Sequence, residues 1–279
     1  MTKRDIRLIL TDMDGTLLSP DLTVSAANRQ AILDARAAGI ETAIATGRLD
    51  LLVQDYVKQL DIRVPVVSCN GALVRDVARE DTVHMRAIPK AAAARLIRLC
   101  LEQGVDGLSY TRESVWYPRG SGRVGFFRDY NRMAEAGGTP PVDLRCYDEA
   151  DPETVAASGV FKIFLARNRP GDIERLADQA GREIPGIDAI NSVGDSLDIM
   201  AEGVSKGEAL RILAVHLGLE PAQVAAFGDS ENDISMLEAA GFAVAMGNAH
   251  PPVRAAADHV TSTNREDGFA RAVYAHLLT

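Results

Sequence analysis

The residues best suited to chemistry lie in short polar stretches that each follow an apolar run. Asp12-Met13-Asp14-Gly15-Thr16 comes directly after Ile6-Arg7-Leu8-Ile9-Leu10-Thr11. That run is too short for an amphipathic helix, and its β-branched content reads as a buried strand delivering two carboxylates to its C-terminal end. If the chain stays extended, Asp12 and Asp14 lean to the same side. Two like charges so close cost free energy unless a cation or a proton lies between them. A hard divalent cation with oxygen ligands, Mg²⁺ by default, is the simplest partner. The competing reading is an ordinary acidic turn. The pattern returns where Val224-Ala225-Ala226-Phe227 leads into Gly228-Asp229-Ser230-Glu231-Asn232-Asp233. Ser230 can cap a helix and Asp233 can sit in its first turn, but Asp229 has less of a structural excuse. Asp12, Asp14, Asp229 and Asp233 in one cleft would carry too much negative charge without a metal.

Two more stretches carry a hydroxyl and a cation. Thr46-Gly47-Arg48 follows Ile40 to Ala45, and Leu49, Leu52, Val53, Tyr56 and Val57 come after it at helical spacing. Thr46 can cap that helix and need do nothing else. Ser205 and Glu208 form a possible capping box, which puts Lys206 at the first helical position. A lysine there opposes the helix dipole by roughly 0.3–1 kcal/mol unless an anion is present; the alternative is a solvated surface lysine.

The elements that must position these residues alternate. Ile6 to Thr11, Ile40 to Ala45 and Pro65 to Ser68 read as strands, with a helix between Ser25 and Ala38 and another beyond Leu49, a βαβαβ rhythm expected to give a parallel sheet. Its C-terminal edge is where ligands bind in open α/β sheets. From about Val83 the rhythm changes. A hairpin or extended exit over Ala72 to Met85, a helix opened by Pro89, strand pieces in Gly104 to Tyr117, helical text from Gly120 to Gly138, a strand at Phe161 to Leu165, a helix from Asp172 and a strand at Ile187 to Asn191 suggest an α+β insertion. The parallel rhythm is expected to resume with Leu197 to Met200, then a helix from Lys206, a strand at Val224 to Phe227, a helix from Glu231, a strand at Ala243 to Met246 and helices near Pro252 and through Phe269. The fold class is therefore α/β: a doubly wound, mainly parallel sheet core of residues 1–83 and 192–279, with an α+β domain inserted over residues 84–191.

Composition narrows the function. The 279 residues are 47% hydrophobic and 25% charged with a net charge of −9, which argues against a general nucleic-acid binder and requires any phosphate site to be local. No 18-residue apolar stretch or signal peptide is read, so no membrane partner is expected. Cys69, Cys100 and Cys146 are single and widely spaced, fitting a reducing cytoplasm rather than a disulfide framework or zinc site.

Taken together, Asp12-Met13-Asp14-Gly15-Thr16-Leu17-Leu18, Ala45-Thr46-Gly47-Arg48, Val204-Ser205-Lys206-Gly207 and Gly228-Asp229-Ser230-Glu231-Asn232-Asp233-Ile234-Ser235-Met236 resemble the haloacid-dehalogenase-superfamily phosphohydrolases. The resemblance is to the Cof-like branch, with its inserted α/β cap. Asn70-Gly71-Ala72, Met246-Gly247-Asn248-Ala249 and Asn264-Arg265-Glu266-Asp267-Gly268 resemble that branch too, so the likeness covers nearly the whole chain. It implies hydrolysis of small-molecule phosphomonoesters such as sugar phosphates, flavin mononucleotide or pyridoxal phosphate. Asp12 would be the nucleophile and would form an aspartyl-phosphate. Asp14 would protonate the leaving oxygen and then activate water. Thr46 and Lys206 would complete the catalytic set, contacting the phosphoryl oxygens. Asp12, Asp229, Asp233 and the backbone carbonyl of Asp14 would hold Mg²⁺. Met13 and Gly47, through backbone N–H groups, with Arg48, Asn70 and Asn232, would bind substrate.

Trp116, Tyr117, Arg119, Arg123 and Lys162 of the inserted domain are candidate readers of the leaving group, chosen only because aromatic and cationic side chains suit phosphorylated ring compounds. Each could equally be a surface or core residue of that domain. A phosphomutase shares the opening chemistry but retains the phosphoryl group. A phospho-receiver also uses an acidic cluster, a hydroxyl and a lysine, but has no use for Asp14 or for so large an insertion. A dehalogenase needs no metal and lacks a counterpart of Asp14. The expected assembly is a monomer or small homo-oligomer.

Overall fold

The computed structural model describes residues 5–77, 79–166, 171–191 and 196–278. The chain divides into two compact units, Met1–His84 with Ser205–Thr279, and Met85–Val204. In chain order the first stretch holds β1 (Leu8–Thr11), α1 (Ala26–Ala37), β2 (Glu41–Ile44), α2 (Gln54–Leu60), β3 (Val66–Ser68), β4 (Leu73–Asp76) and β5 (Asp81–Met85). The inserted unit holds α3 (Lys90–Gln103), β6 (Asp106–Tyr110), β7 (Ser114–Tyr117), α4 (Val124–Gly137), β8 (Asp143–Cys146), α5 (Pro152–Ala157), β9 (Lys162–Ala166), α6 (Asp172–Glu183), β10 (Ile187–Asn191) and β11 (Leu197–Ala201). The last stretch holds α7 (Lys206–His216), β12 (Val224–Gly228), α8 (Ile234–Ala239), β13 (Phe242–Ala245), α9 (Pro251–Ala255), β14 (His259–Val260) and α10 (Gly268–His276).

The first unit is built on a five-stranded sheet ordered β14-β13-β12-β1-β2, parallel throughout. Period-two alternation gives β1 two apolar faces. Leu8 and Leu10 pack with Ala43, Ala226, Leu210, Leu213 and Met236, while Ile9 packs with Ile44, Phe227, Phe269 and Val273. Each such fully buried side chain contributes about 1.5–3 kcal/mol, so β1 is held from both sides and cannot slip register. The chain leaves β1 through α1 to β2 on one side and comes back into β12 on the other. The C-terminal ends of β1 and β12 therefore flank the place where strand order reverses, which is where such sheets open a crevice. Leu8 to Thr11 lie opposite Val224 to Phe227 in register, so Asp12 and Gly228 emerge side by side.

Two expectations need correction in this unit, and one strand was not expected. Pro65 to Ser68 do not add a full third parallel strand: β3 meets the main sheet only through the bridge of Ala45 with Val67 and belongs to a separate sheet ordered β3-β4-β5. The helix after Leu49 starts as a 3₁₀ turn, Asp50–Val53, before α2. Strand β14, two residues long, has too little periodicity to be read from sequence.

The inserted unit has a six-stranded sheet ordered β10-β11-β9-β6-β7-β8, antiparallel except for the β7–β8 pair. One face packs on α3 and α6 through Leu96, Ile97, Ile163, Leu165, Ile173, Leu176 and Ile199. Residue 192, the expected return to the core, lies outside the described residues. Leu197 to Met200, expected to resume the parallel core, instead form β11, antiparallel to both β10 and β9, and the return comes at Ser205. The reason is visible in the pattern: Ile199 packs toward α3 and α6, whereas Asp198 is buried with Lys162 at 2.7 Å. That is the alternation of a mixed sheet, not the unbroken apolar run of a parallel one. Among the described residues no helix is long and apolar enough to cross a membrane.

Candidate active site

Asp12 leaves β1 with its backbone N–H donating to the Phe227 carbonyl at 2.9 Å, and its residue is only 6% exposed. Opposite it stands Lys206. Ser205 caps α7 as expected, its Oγ accepting from the Glu208 N–H at 3.1 Å, so Lys206 is the first helical residue. It is no surface lysine: the side chain is wholly buried, and Nζ donates to Asp12 Oδ1 and to Asp233 Oδ1, both at 2.6 Å. Burial alone would depress its pKa, but the carboxylates of Asp12 and Asp233 outweigh burial and hold it above the ordinary lysine value. Gly207 makes this placement possible, because a Cβ there would lie 2.2 Å from the Ser235 carbonyl oxygen.

Asp233 has both a structural and a site role. Its Oδ2 accepts from the backbone N–H groups of Asp229 and Ser230, each at 3.0 Å, while Oδ1 meets the lysine. Asp229 is held by Thr16, whose hydroxyl donates to Oδ1 at 2.9 Å, and by Asn248, whose amide donates to Oδ2 at 3.3 Å. The turn at Gly15 needs glycine: φ is +86° and a Cβ would lie 2.3 Å from Asp229 Oδ2.

One carboxylate oxygen from each of Asp12, Asp229 and Asp233 falls within 4.8 Å of the others. Burial raises the Asp229 pKa to about 6, and the nearby Asp233 adds to it. Burial likewise lifts Asp12 well above the usual carboxylate range; Lys206 opposes this, and Asp233 and Asp229 reinforce it. Three carboxylates against one ammonium leave an excess of negative charge in a buried place, and an all-oxygen donor set of this kind suits a hard divalent cation.

Asp14 is not in that group. The chain turns after Asp12, with the N–H groups of Thr16 and Leu18 donating to the Met13 carbonyl, so the extended geometry on which a common lean of Asp12 and Asp14 depended does not continue through Asp14. The Asp14 carboxylate instead takes a forked pair from Arg48, Nε to Oδ2 at 2.8 Å and Nη2 to Oδ1 at 2.5 Å. Burial would lower the Arg48 pKa, but the hydrogen bond and charge of Asp14 raise it. Thr46 is buried at the end of β2, its Oγ1 accepting from the Arg48 N–H at 3.1 Å and its carbonyl from the Asn70 N–H at 3.0 Å. Asn70 sits in the left-handed region, φ 55°, and its Oδ1 accepts from Asn232 Nδ2 at 3.0 Å. That bond ties the loop after β3 to the loop after β12. Gly47 lies against the same Asn70 side chain, and the Met13 side chain is buried in the core.

Within the inserted unit the five candidate readers differ. Trp116 is a core residue stacked on Tyr147, and Lys162 is buried with Asp198 beside the Tyr110 and Phe164 rings. The Arg123 guanidinium lies over the rings of Phe126 and Phe164, Arg119 is paired with Asp148, and Tyr117 lies beneath Arg128. Thr16, Asn248 and Asn264 were given no role from sequence. Asn248 joins Asp229 to the Gly15 carbonyl, and its Oδ1 accepts from the Asn264 N–H at 3.0 Å. The only signal for them was their place in the motif-like stretches.

Residues 9–273 match the family model of haloacid dehalogenase-like hydrolases. The chain is 32% identical over 275 residues to the pyridoxal phosphate phosphatase YbhA of Escherichia coli, covering 98% of this chain and 99% of that protein. It is 31% identical over 290 residues to the phosphatase YwpJ of Bacillus subtilis, covering 98% and 100%. Its fold is similar to that of a haloacid dehalogenase-like hydrolase from Bacteroides thetaiotaomicron, with TM-score 0.81, 25% identity and coverage of 97% and 99%. A haloacid dehalogenase-like hydrolase from Bacillus subtilis matches with TM-score 0.78, 29% identity and coverage of 98% and 100%. With the parallel sheet, the buried lysine between two aspartates and a match running from β1 into α10, the chain belongs to the haloacid dehalogenase-like hydrolase family.

Proposed function

We propose that the protein is a Mg²⁺-dependent phosphatase of the Cof-like branch, acting in the cytoplasm on small-molecule phosphomonoesters through an aspartyl-phosphate on Asp12. The observation that carries this is Asp12 itself: a nearly buried carboxylate at the sheet's switch point, 2.6 Å from a buried lysine and grouped with two further carboxylates. Asp12, Asp229 and Asp233, with the main-chain carbonyl of Asp14, would hold the ion, which when bound supplies positive charge against the nucleophile and the phosphoryl oxygens.

A lone pair of one Asp12 oxygen attacks phosphorus, and the bond from phosphorus to the ester oxygen breaks. Asp14 gives that departing oxygen its proton, so an alcohol leaves. Asp14, now a carboxylate, takes a proton from water as the water oxygen attacks phosphorus, and the bond to Asp12 breaks to release inorganic phosphate. Lys206 stays on Asp12 and neutralises charge that grows during both displacements. Thr46 and the backbone N–H groups of Met13 and Gly47 donate to the phosphoryl oxygens. Asn232 and Asn70, bonded to each other, orient that group from the opposite loop.

The name of one relative, a pyridoxal phosphate phosphatase, puts pyridoxal phosphate in the first panel of substrates, with sugar phosphates and flavin mononucleotide. Phosphate release is expected from members of that panel, lost in EDTA and restored by Mg²⁺. Asp12→Asn should abolish turnover with the fold intact, because an amide cannot form the acyl phosphate. Near-parental activity in that variant would defeat the assignment, and an isomerised phosphosugar without free phosphate would make the enzyme a phosphomutase.

A further inference from the structure

Asn248 is an exposed residue in the turn between β13 and α9, yet both ends of its side-chain amide are engaged. Which end is which follows from the partners. Oδ1 meets the Asn264 backbone N–H, which can only donate, and Nδ2 meets the Gly15 carbonyl at 2.9 Å, which can only accept, so the amide cannot turn over without losing both bonds. Nδ2 also donates to Asp229 Oδ2 at 3.3 Å, while the Thr16 hydroxyl donates to Oδ1 at 2.9 Å. The Ser230 hydroxyl reaches Oδ2 as well, at 3.4 Å. Asp229 is thus gripped at both oxygens by neutral donors. Water competes for an exposed hydrogen bond, so the Asn248 part of the grip is only as firm as the backbone beneath it.

That backbone is held by Arg254, in the last turn of α9. Its Nε donates to the Ala249 carbonyl at 2.8 Å and its Nη2 donates to the Gly247 carbonyl, so the planar fork of the guanidinium spans the residues on either side of Asn248. Gly247 lies close against residues 261–263: its N–H donates to the Ser262 carbonyl at 3.0 Å, and a Cβ would come within 2.8 Å of the Thr263 nitrogen. We infer that Arg254, which donates to none of the three clustered carboxylates, is a positioning residue for Asp229: it fixes Asn248, and through Asn248 it sets how tightly the cluster binds a divalent cation. The inference rests on the metal role proposed for Asp229. A carboxylate already aimed loses less freedom when it takes up an ion, and outer groups that aim a ligand are worth about 10- to 100-fold in metal affinity. Asn248 suits the post because it is uncharged. A cationic side chain there would aim Asp229 but oppose the ion, and a carboxylate would add to the excess of negative charge. The charge of Arg254 is spent on two carbonyls instead.

Calorimetric titration of the metal-free protein with Mg²⁺ reads this without turnover. The parental protein should bind the ion at a site lost in Asp229→Asn. Asn248→Ala should weaken binding about tenfold or more and Arg254→Ala about three- to tenfold, with Arg254→Lys in between because one ammonium cannot fork across two carbonyls. Since Arg254 acts through Asn248, adding Arg254→Ala to Asn248→Ala should weaken binding no further. Arg36→Ala is the control for lost stability: that guanidinium also meets two carbonyls, those of Leu60 and Asp61 at 3.3 and 2.6 Å, and its removal should leave Mg²⁺ affinity unchanged. Parental affinity in both Asn248→Ala and Arg254→Ala, additive losses in the double variant, or an equal loss in Arg36→Ala overturns the positioning role and leaves the phosphatase reading standing. No Mg²⁺ binding by the parental protein counts against the metal-dependent reading and takes the positioning role with it.

Discussion

Lys206 binds Asp12 and Asp233 while Asp229 stands beside them, so burial and like charge are only partly offset. The proton balance follows from this. The folded-state pKa of Asp229 is raised from 3.8 to about 6 and that of Asp12 is raised too, so between about pH 4 and 6 the folded chain holds protons that the unfolded chain has lost. Stability of the metal-free protein is therefore full below pH 4 as far as these groups are concerned, and declines as pH rises through 6. Asp229 alone accounts for at most about 3 kcal/mol of that decline. The melting temperature in EDTA should fall between pH 5 and pH 7, and Mg²⁺ should restore more of it at pH 7 than at pH 5. An unchanged pH trend in Asp229→Asn would show that the carboxylate is not responsible. Which residues converge was legible beforehand for Asp12, Lys206, Asp229 and Asp233, because each stands at a strand end or helix start that periodicity locates. The Asp14–Arg48 fork, and the hold of Thr16 and Asn248 on Asp229, were not legible. They depend on how irregular turns aim side chains, which no periodic pattern encodes.

At the scale of elements, the site depends on close backbone approach between α7 and the turn that opens α8. Gly207 donates its N–H to Ser235 Oγ at 3.1 Å, and the Ser235 carbonyl occupies the space a side chain would need. Gly207→Ala should push the start of α7 away, drawing Lys206 off its two carboxylates. Overpacking of this kind costs about 1–3 kcal/mol. A lower urea midpoint and a large loss of kcat are expected together; an unchanged midpoint would show that α7 can shift without strain. Apolar or amphipathic elements such as β1, β12, α1 and α7 were readable because an unbroken apolar run or a periodic apolar face commits them to the core. Those in polar text were not. Strand β8 and helix α5 are four and six residues long and lie in polar text, and β11 alternates like a strand without revealing which sheet it joins.

For the molecule as a whole, the two units have separate apolar cores. The clusters around β1 draw only on residues before Met85 or after Ser205, whereas the cluster under the six-stranded sheet runs from Ile88 to Ile199. A stretch of about 120 residues with its own sheet, helices and core is large enough to fold alone. Excised residues 85–204 should therefore unfold cooperatively in urea, with coincident transitions by circular dichroism and by fluorescence of Trp116, the chain's single tryptophan, which is stacked on Tyr147. The buried Lys162–Asp198 pair gives the same fragment an internal control. Removing the lysine alone takes the ammonium away from a buried carboxylate, at a cost of about 3–5 kcal/mol, whereas replacing both partners by apolar residues of similar size costs far less. Lys162→Met should thus destabilise the fragment, and Lys162→Met with Asp198→Leu should restore most of the loss. If the fragment instead showed a broad transition that differs between the two probes, its core would not suffice to fold it, and the insertion would have to be treated as an extension of the sheet domain.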